Sequence, residues 1–333
     1  MADSGDVQTE KIASSGDVVL LVGKQIKVKL IVSTTVLTDT SKVFAALLGP
    51  MFREGQGLAS SPQPKEIALP DDDPAAMSDL CHLLHNKPIF GMIQKDAMAA
   101  SARILAFAVV CDKYTCAEAL LLQAKAILHE WQMDCEGPTM TSTFRITVAS
   151  YLLGHKAVFK SPTEALALKA TRSLRVFHKS INNCRLTFTI TIQEKMAQAQ
   201  DKITVGLPRL GMPTCEHHPG RGWGSHSVNY DQAYLDALCT AFRVPCWPPQ
   251  FGVEDRQFTI FKAIRVIEKV EGIDLSSGTC ICTFAIDEVL AVDIKDLAQE
   301  LNDICDGLCL WCVREGKTDL ASKCTDTEHS QRP

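Results

Sequence analysis

The sequence predicts an α+β fold: a small N-terminal β-sheet flanked by helices, followed by a mainly α-helical C-terminal region. Three observations carry this. Two short β-branched runs flank Gly23 and Lys24; a compact helix-like segment and a further strand-like run complete the stretch from Gly16 to Leu69; beyond it, apolar residues recur at spacings of three and four.

The N-terminal elements follow in order. Val18 to Val22 is almost unbroken apolar, as in a strand covered on both faces, whereas Ile26, Val28, Leu30 and Val32 alternate with Lys27, Lys29 and Ile31. Gly23 tolerates a positive φ, which favours a hairpin between the two runs. Ser41 stands just before Val43, Phe44, Leu47 and Leu48, where its hydroxyl can cap a helix that Gly49 and Pro50 should end. Residues 55–64 read as a loop, Lys65 to Leu69 as a strand, and Asp71 to Pro74 as a helix start that puts carboxylates at the positive end of the helix dipole. Met77, Leu80, Cys81 and Leu84 then share one inward face. Ala97 to Val110 and Ala117 to Trp131 form a helical pair around the segment Cys111 to Cys116, in which Tyr114 should bury its ring and keep its hydroxyl bonded.

These residues resemble a family. Asp17 to Gly23 (DVVLLVG), Val36 and Leu37 followed by Ser41 to Phe44 (SKVF), Phe52 to Glu54 (FRE) and Ile67 to Pro74 (IALPDDDP) look like the BTB/POZ domain in its fungal form, as does the Asp112-Lys113-Tyr114 turn. The resemblance implies an α/β interaction module over residues 16–131 that dimerises or recruits protein partners and has no catalytic residues of its own. Ser33 departs from it, standing where many members carry His. Phe52 to Glu54 is also similar to the apolar-x-Glu triplet with which some BTB adaptors dock a cullin ubiquitin ligase; on that reading Phe52 and Glu54 bind the partner. Alternatively, Phe52 packs on its own domain and Glu54 is solvated.

Composition bounds the rest. The chain has 333 residues, a length that favours about two domains, with a formal net charge of -5 and no basic tract, which does not favour nucleic acid as a partner. No apolar run reaches the length of a membrane span; Ala97 to Cys111 comes nearest and contains Arg103. Residues 1–15 are polar and acidic, read as a disordered leader rather than an export signal, so the expected location is intracellular, in cytoplasm or nucleus. The 14 cysteines are then reduced thiols, buried as small apolar side chains or held on a metal.

The C-terminal region divides into a helical extension (140–203), a Gly/Pro-rich linker or loop (204–229), a Cys-rich helical region (230–313) and a flexible polar tail (314–333). In the extension, Phe144 to Leu153 and Thr163 to Val176 read as an antiparallel pair broken at Gly154 and Pro162, and Phe188 to Lys202 as a further helix. Cys215, His217 and His218 in the linker are zinc-ligand types on what is otherwise a solvated loop. Cys280 and Cys282 with Cys309 and Cys312 make a candidate zinc quartet, since four soft sulfurs suit tetrahedral coordination, although the first pair has only one intervening residue. The competing explanation is a buried stripe through Leu301, Cys305, Leu308 and Cys312. Gly307 to Val313 (GLCLWCV) is similar to a Gly-Leu-Cys-Leu-Asp-Cys-Val ending of fungal BTB-containing proteins, with Trp311 replacing the acid.

No phosphate loop, His-Glu-x-x-His helix or nucleophile elbow appears, so no catalytic residue is assigned. The sequence reads as a non-enzymatic protein–protein interaction protein, self-associating as a homodimer or acting as an adaptor. The alternatives are a cullin substrate adaptor and a zinc-containing or thiol enzyme using the C-terminal Cys and His residues.

Overall fold

A computed structural model of the chain describes residues 7–56, 63–134, 137–170, 174, 187–210, 239, 259–270, 295–317, 324 and 329. The chain is mixed α/β, with a small four-stranded sheet at its N-terminus and helices through most of the described remainder. It divides into two compact units, Met1–Pro162 with Ser330–Pro333, and Thr163–His329.

In the first unit, β2 (Val18–Val22) and β3 (Val28–Val32) pair antiparallel, with Leu20 opposite Leu30. The reversal needs glycine: Gly23 has φ 95°, and a Cβ there would lie 2.2 Å from the Ile26 carbonyl oxygen. Strand β4 (Lys65–Leu69) runs parallel on the other edge of β2, Leu20 opposite Ile67. Leu30, Leu20 and Ile67 thus form one row across the sheet, and all three are buried. Full burial of such a side chain contributes about 1.5–3 kcal/mol. Ile26 belongs to the hairpin loop rather than the strand and is exposed.

Strand β1 (Gln8–Lys11) lies within the stretch read as a leader, pairing parallel with β3 at the sheet's edge. Its polar side chains hide it from a hydrophobic-pattern reading. What fixes it is non-local: Ile12 is fully buried, the Ile12 and Ala13 amides both donate to the Ile31 carbonyl at 3.0 Å, and Ser78 Oγ donates to Glu10 Oε2 at 2.7 Å.

The connection from β3 to β4 holds α1 (Thr34–Thr40) and α2 (Lys42–Leu47). Ser41 caps α2, its Oγ accepting from the Phe44 amide at 3.0 Å. Asp73 caps α3 (Pro74–Leu84) and Asp96 caps α4 (Ala97–Lys113) in the same way. Met77, Leu80, Cys81 and Leu84 are all buried. Helix α5 (Leu121–Asp134) buries Ala124, Leu128 and Trp131, while Val109 on α4 is more exposed than its periodicity implies. Helix α6 (Met140–Leu152) packs on α4.

Helix α7 (Lys156–Lys169) runs through Pro162, where the sequence predicted a break, and the boundary between the units falls at that proline. The helix is anchored on either side of it by buried Val158 and Phe159 and by buried Leu166 and Ala167, so burial outweighs the lost backbone hydrogen bond. In the second unit, α8 (Thr187–Leu210) covers the predicted 188–202 helix and continues into the first residues of the expected linker. Helix α9 (Ile260–Val270) packs on α8 and buries Ile260, Ala263, Ile264 and Ile267. Residues 295–305 are helical, with Lys195 Nζ donating to the Ile304 carbonyl at 2.6 Å, and a short α10 (Leu310–Arg314) follows. Among the described residues no helix is long and apolar enough to cross a membrane.

Candidate metal centre

The local geometry around α10 arranges thiols on one side of a tight turn. Cys309 is its N-terminal flanking residue, and its carbonyl accepts from the Val313 amide at 3.1 Å. The helix stops after one and a half turns because Gly316 takes φ 74°. The Gly316 amide then bonds the Val313 carbonyl at 3.2 Å and the Lys317 amide bonds the Cys312 carbonyl at 2.8 Å, the paired bonds of a Schellman stop. A Cys-x-x-Cys pair on such a turn brings both sulfurs to one side.

Cys324 and His329 complete the group. One ligand atom from each of Cys309, Cys312, Cys324 and His329 lies within 4.8 Å of every other, so the cluster can hold a metal ion. The His329 Nδ1 atom is 3.8 Å from Cys309 Sγ, 3.5 Å from Cys312 Sγ and 3.4 Å from Cys324 Sγ. Tetrahedral zinc with ordinary Zn–S and Zn–N bonds would separate a sulfur from a nitrogen ligand by about 3.6 Å, so the three distances suit atoms that could share one centre. Cys312 and His329 are buried, and Cys309 and Cys324 are half-buried.

The second ring nitrogen of His329 is also engaged. Its Nε2 lies 3.2 Å from Glu315 Oε1, and Lys317 Nζ sits 2.9 Å from Glu315 Oε2. Glu315 is itself fixed by the helix stop, its amide donating to the Trp311 carbonyl at 2.9 Å. Lys317, then His329, hold the Glu315 carboxyl down to about 2. As a plain thiol, Cys312 is pushed up to about 12 by burial and by its neighbours Cys324 and Cys309. A cation held there would reverse that preference, because coordination deprotonates a thiol outright.

The structure therefore groups Cys309 and Cys312 of the sequence-derived quartet with Cys324 and His329; Cys280 and Cys282 lie outside the described residues, as do Cys215, His217 and His218. Two of the four ligand atoms come from the stretch read as a flexible tail. The signal was in the spacing: two residues separate Cys309 from Cys312 and four separate Cys324 from His329, both within the ranges of structural zinc sites. The stripe through Leu301, Cys305, Leu308 and Cys312 is buried as well, but residues 306–309 interrupt the helix, so two elements build it. Cys305 stays in that apolar setting, its thiol pushed up to about 12 mainly by burial.

In the first unit, Phe52 is 50% exposed and Met51 beside it 88% exposed, while Glu54 is half-buried. Lys65 Nζ donates to the carbonyls of Arg53 at 2.9 Å and Gln56 at 2.7 Å, pinning the turn that presents them. The Gly55 amide closes it on the Phe52 carbonyl. A search of protein-family models, of curated proteins and of solved structures found no match to this chain.

Proposed function

We propose that the protein works through protein–protein contacts, with a BTB/POZ-like N-terminal unit as its docking block and no catalytic step of its own. The observation that carries this is the pinned turn after α2: a backbone held at two carbonyls by Lys65 presents the apolar side chains of Met51 and Phe52 to solvent. Exposed apolar groups on a preorganised turn suit an interface, since little ordering is needed on binding. The BTB-like assignment draws support from the element order, a β2–β3 hairpin, two short helices, a returning strand β4 and then helices.

Self-association of this unit is the first form of the reading. Light scattering on the full chain at tens of micromolar should report a dimer, and a strict monomer would overturn it. The adaptor form has its own observation in Phe52, whose ring is half outside its domain. A cullin N-terminal segment should bind the full chain, and Phe52→Ala should weaken binding by about tenfold or more, the loss of a central apolar anchor. Equal binding by the wild type, Phe52→Ala and Glu54→Ala would remove the triplet from the interface.

The cation we assign to the Cys3His cluster is zinc: three soft sulfurs and an imidazole suit it, and four protein ligands leave no open position for a substrate or a reactive water. The alternative of a thiol enzyme built on the C-terminal cysteines has less support among the described residues, since burial pushes Cys305 away from the reactive thiolate form.

A further inference from the structure

Resting on the zinc reading of this site, we propose that Cys309, Cys312, Cys324 and His329 enclose one zinc ion, that His329 binds it through Nδ1, and that Glu315 is the positioning residue that turns that nitrogen toward the metal. The geometry carries the assignment. All three sulfurs face Nδ1 at 3.4 to 3.8 Å, whereas Nε2 faces the Glu315 carboxylate at 3.2 Å. A neutral imidazole carries one N–H, and an ionised carboxylate only accepts. The proton therefore sits on Nε2 and the lone pair on Nδ1, pointing into the thiol group. Glu315 cannot drift from this place easily, because its backbone caps α10 and Lys317 holds its other oxygen. A carboxylate behind a ligating histidine both orients the ring and raises its basicity, and removing such a partner weakens metal binding about 10- to 100-fold.

The metal's role follows from where the ligands stand. Cys309 and Cys312 belong to α10 and its flank, whereas Cys324 and His329 come later in the chain, with mostly polar residues around them. Zinc would cross-link Cys324 and His329 to α10 and its flank, so the site's role is structural.

The test uses the full-length chain, purified without chelators, with zinc as the probe. Native mass spectrometry should show one zinc per chain, and Cys324→Ser and His329→Asn should lose it. Exchange for cadmium should give a ¹¹³Cd resonance in the range of three sulfurs and one nitrogen. The ¹⁵N couplings of the His329 ring should mark Nδ1 as the bound nitrogen. In competition with a chromogenic chelator, Glu315→Ala should release zinc 10- to 100-fold more readily, while Glu315→Gln, whose amide oxygen can still accept from Nε2, should stay near the wild type. Wild-type protein without zinc overturns the zinc reading and this proposal together. Zinc that persists undiminished in Cys324→Ser and His329→Asn overturns the ligand set but leaves a zinc protein. Coordination through Nε2 overturns the Nδ1 assignment and with it the role of Glu315; equal zinc release by Glu315→Ala and the wild type overturns the role of Glu315 alone. The spectroscopy is done on the wild type, so a variant that fails to fold does not remove the test.

Discussion

The Tyr114 hydroxyl donates to one oxygen of the Asp72 carboxylate at 2.7 Å while Lys113 Nζ reaches the other at 2.6 Å. Asp72 and Tyr114 are both buried, the tyrosine ring stacks on Phe44 at a centroid distance of 4.2 Å, and the Tyr114 carbonyl accepts from Ser41 Oγ. The loop before α3, the end of α4 and the cap of α2 are thereby tied at one point. Tyr114→Phe keeps the ring and its stacking but removes one donor from a buried carboxylate. The expected loss is about 1.5–3 kcal/mol, the range for a hydrogen bond to a charged group. Urea denaturation of wild type and variant measures it, and a loss below about 0.5 kcal/mol would mean that Lys113 alone satisfies Asp72.

His85 predicts a pH dependence. Its Nδ1 faces the Cys81 carbonyl at 2.7 Å, so the proton sits there, and its Nε2 accepts from the Ser33 amide at 3.0 Å. A second proton would destroy that acceptor, and burial, the largest cause, lowers the His85 pKa from 6.5. The unfolded chain therefore binds the proton more readily than the folded one. The contribution is fully present above pH 6.5 and is lost as the pH falls through 6.5 toward the lower folded value. His155, lowered chiefly by burial too, adds a loss of the same sign. Stability measured by urea from pH 8 to pH 5 should fall, with a steepest slope of up to about 1.4 kcal/mol per pH unit for each proton. His85→Gln should flatten the profile without abolishing it; an unchanged slope would assign the whole effect elsewhere.

The features legible in the sequence were those whose chemistry is short-range. Gly23 announces a turn because only its own backbone must bend, and Ser41 and Asp73 announce helix starts because their partners lie three residues on. The inward face of α3 follows from spacing alone. Strand β1 was not legible, since Gln8 to Lys11 carry no apolar alternation and their pairing depends on β3, some twenty residues away. Pro162 misled because its local penalty is outweighed by buried residues on both sides of it. The candidate metal cluster was half legible: Cys309 and Cys312 stood out, but Cys324 and His329 lie among mostly polar residues in the sequence, which hydrophobic patterning does not mark.

The hairpin glycine should be nearly irreplaceable. Gly23→Ala meets a φ of 95° and places Cβ 2.2 Å from the Ile26 carbonyl oxygen and 2.8 Å from Pro74 Cγ, so the turn has to shift. Gly137 offers the control: its φ of 58° is also left-handed, but a Cβ there would meet nothing within 4 Å. Gly137→Ala should cost about 1 kcal/mol from the backbone alone, and Gly23→Ala distinctly more. Thermal melts of both variants test the order, and equal losses would mean that the collision at Gly23 relaxes freely.

Arg103 and Asp79 predict an asymmetry. Two guanidinium nitrogens of Arg103 on α4 donate to the two Asp79 oxygens on α3 at 2.8 and 2.7 Å, and a third reaches the Phe90 carbonyl at 3.1 Å. The Asp79 side chain is only 6% exposed, the Arg103 side chain 30%. Removing the arginine strands a buried carboxylate, whereas removing the aspartate leaves a cation that still reaches a carbonyl and water. Arg103→Ala should therefore approach the 3–5 kcal/mol of a broken buried pair, reduced by the arginine's remaining exposure to roughly 2–4 kcal/mol. Asp79→Ala should cost less. In urea denaturation of both single variants and the double variant, the double should lie below the sum of the singles, because the aspartate is no longer stranded once both are gone. A larger loss from Asp79→Ala, or strict additivity, would show that the two side chains stabilise α3 and α4 through separate contacts rather than through each other.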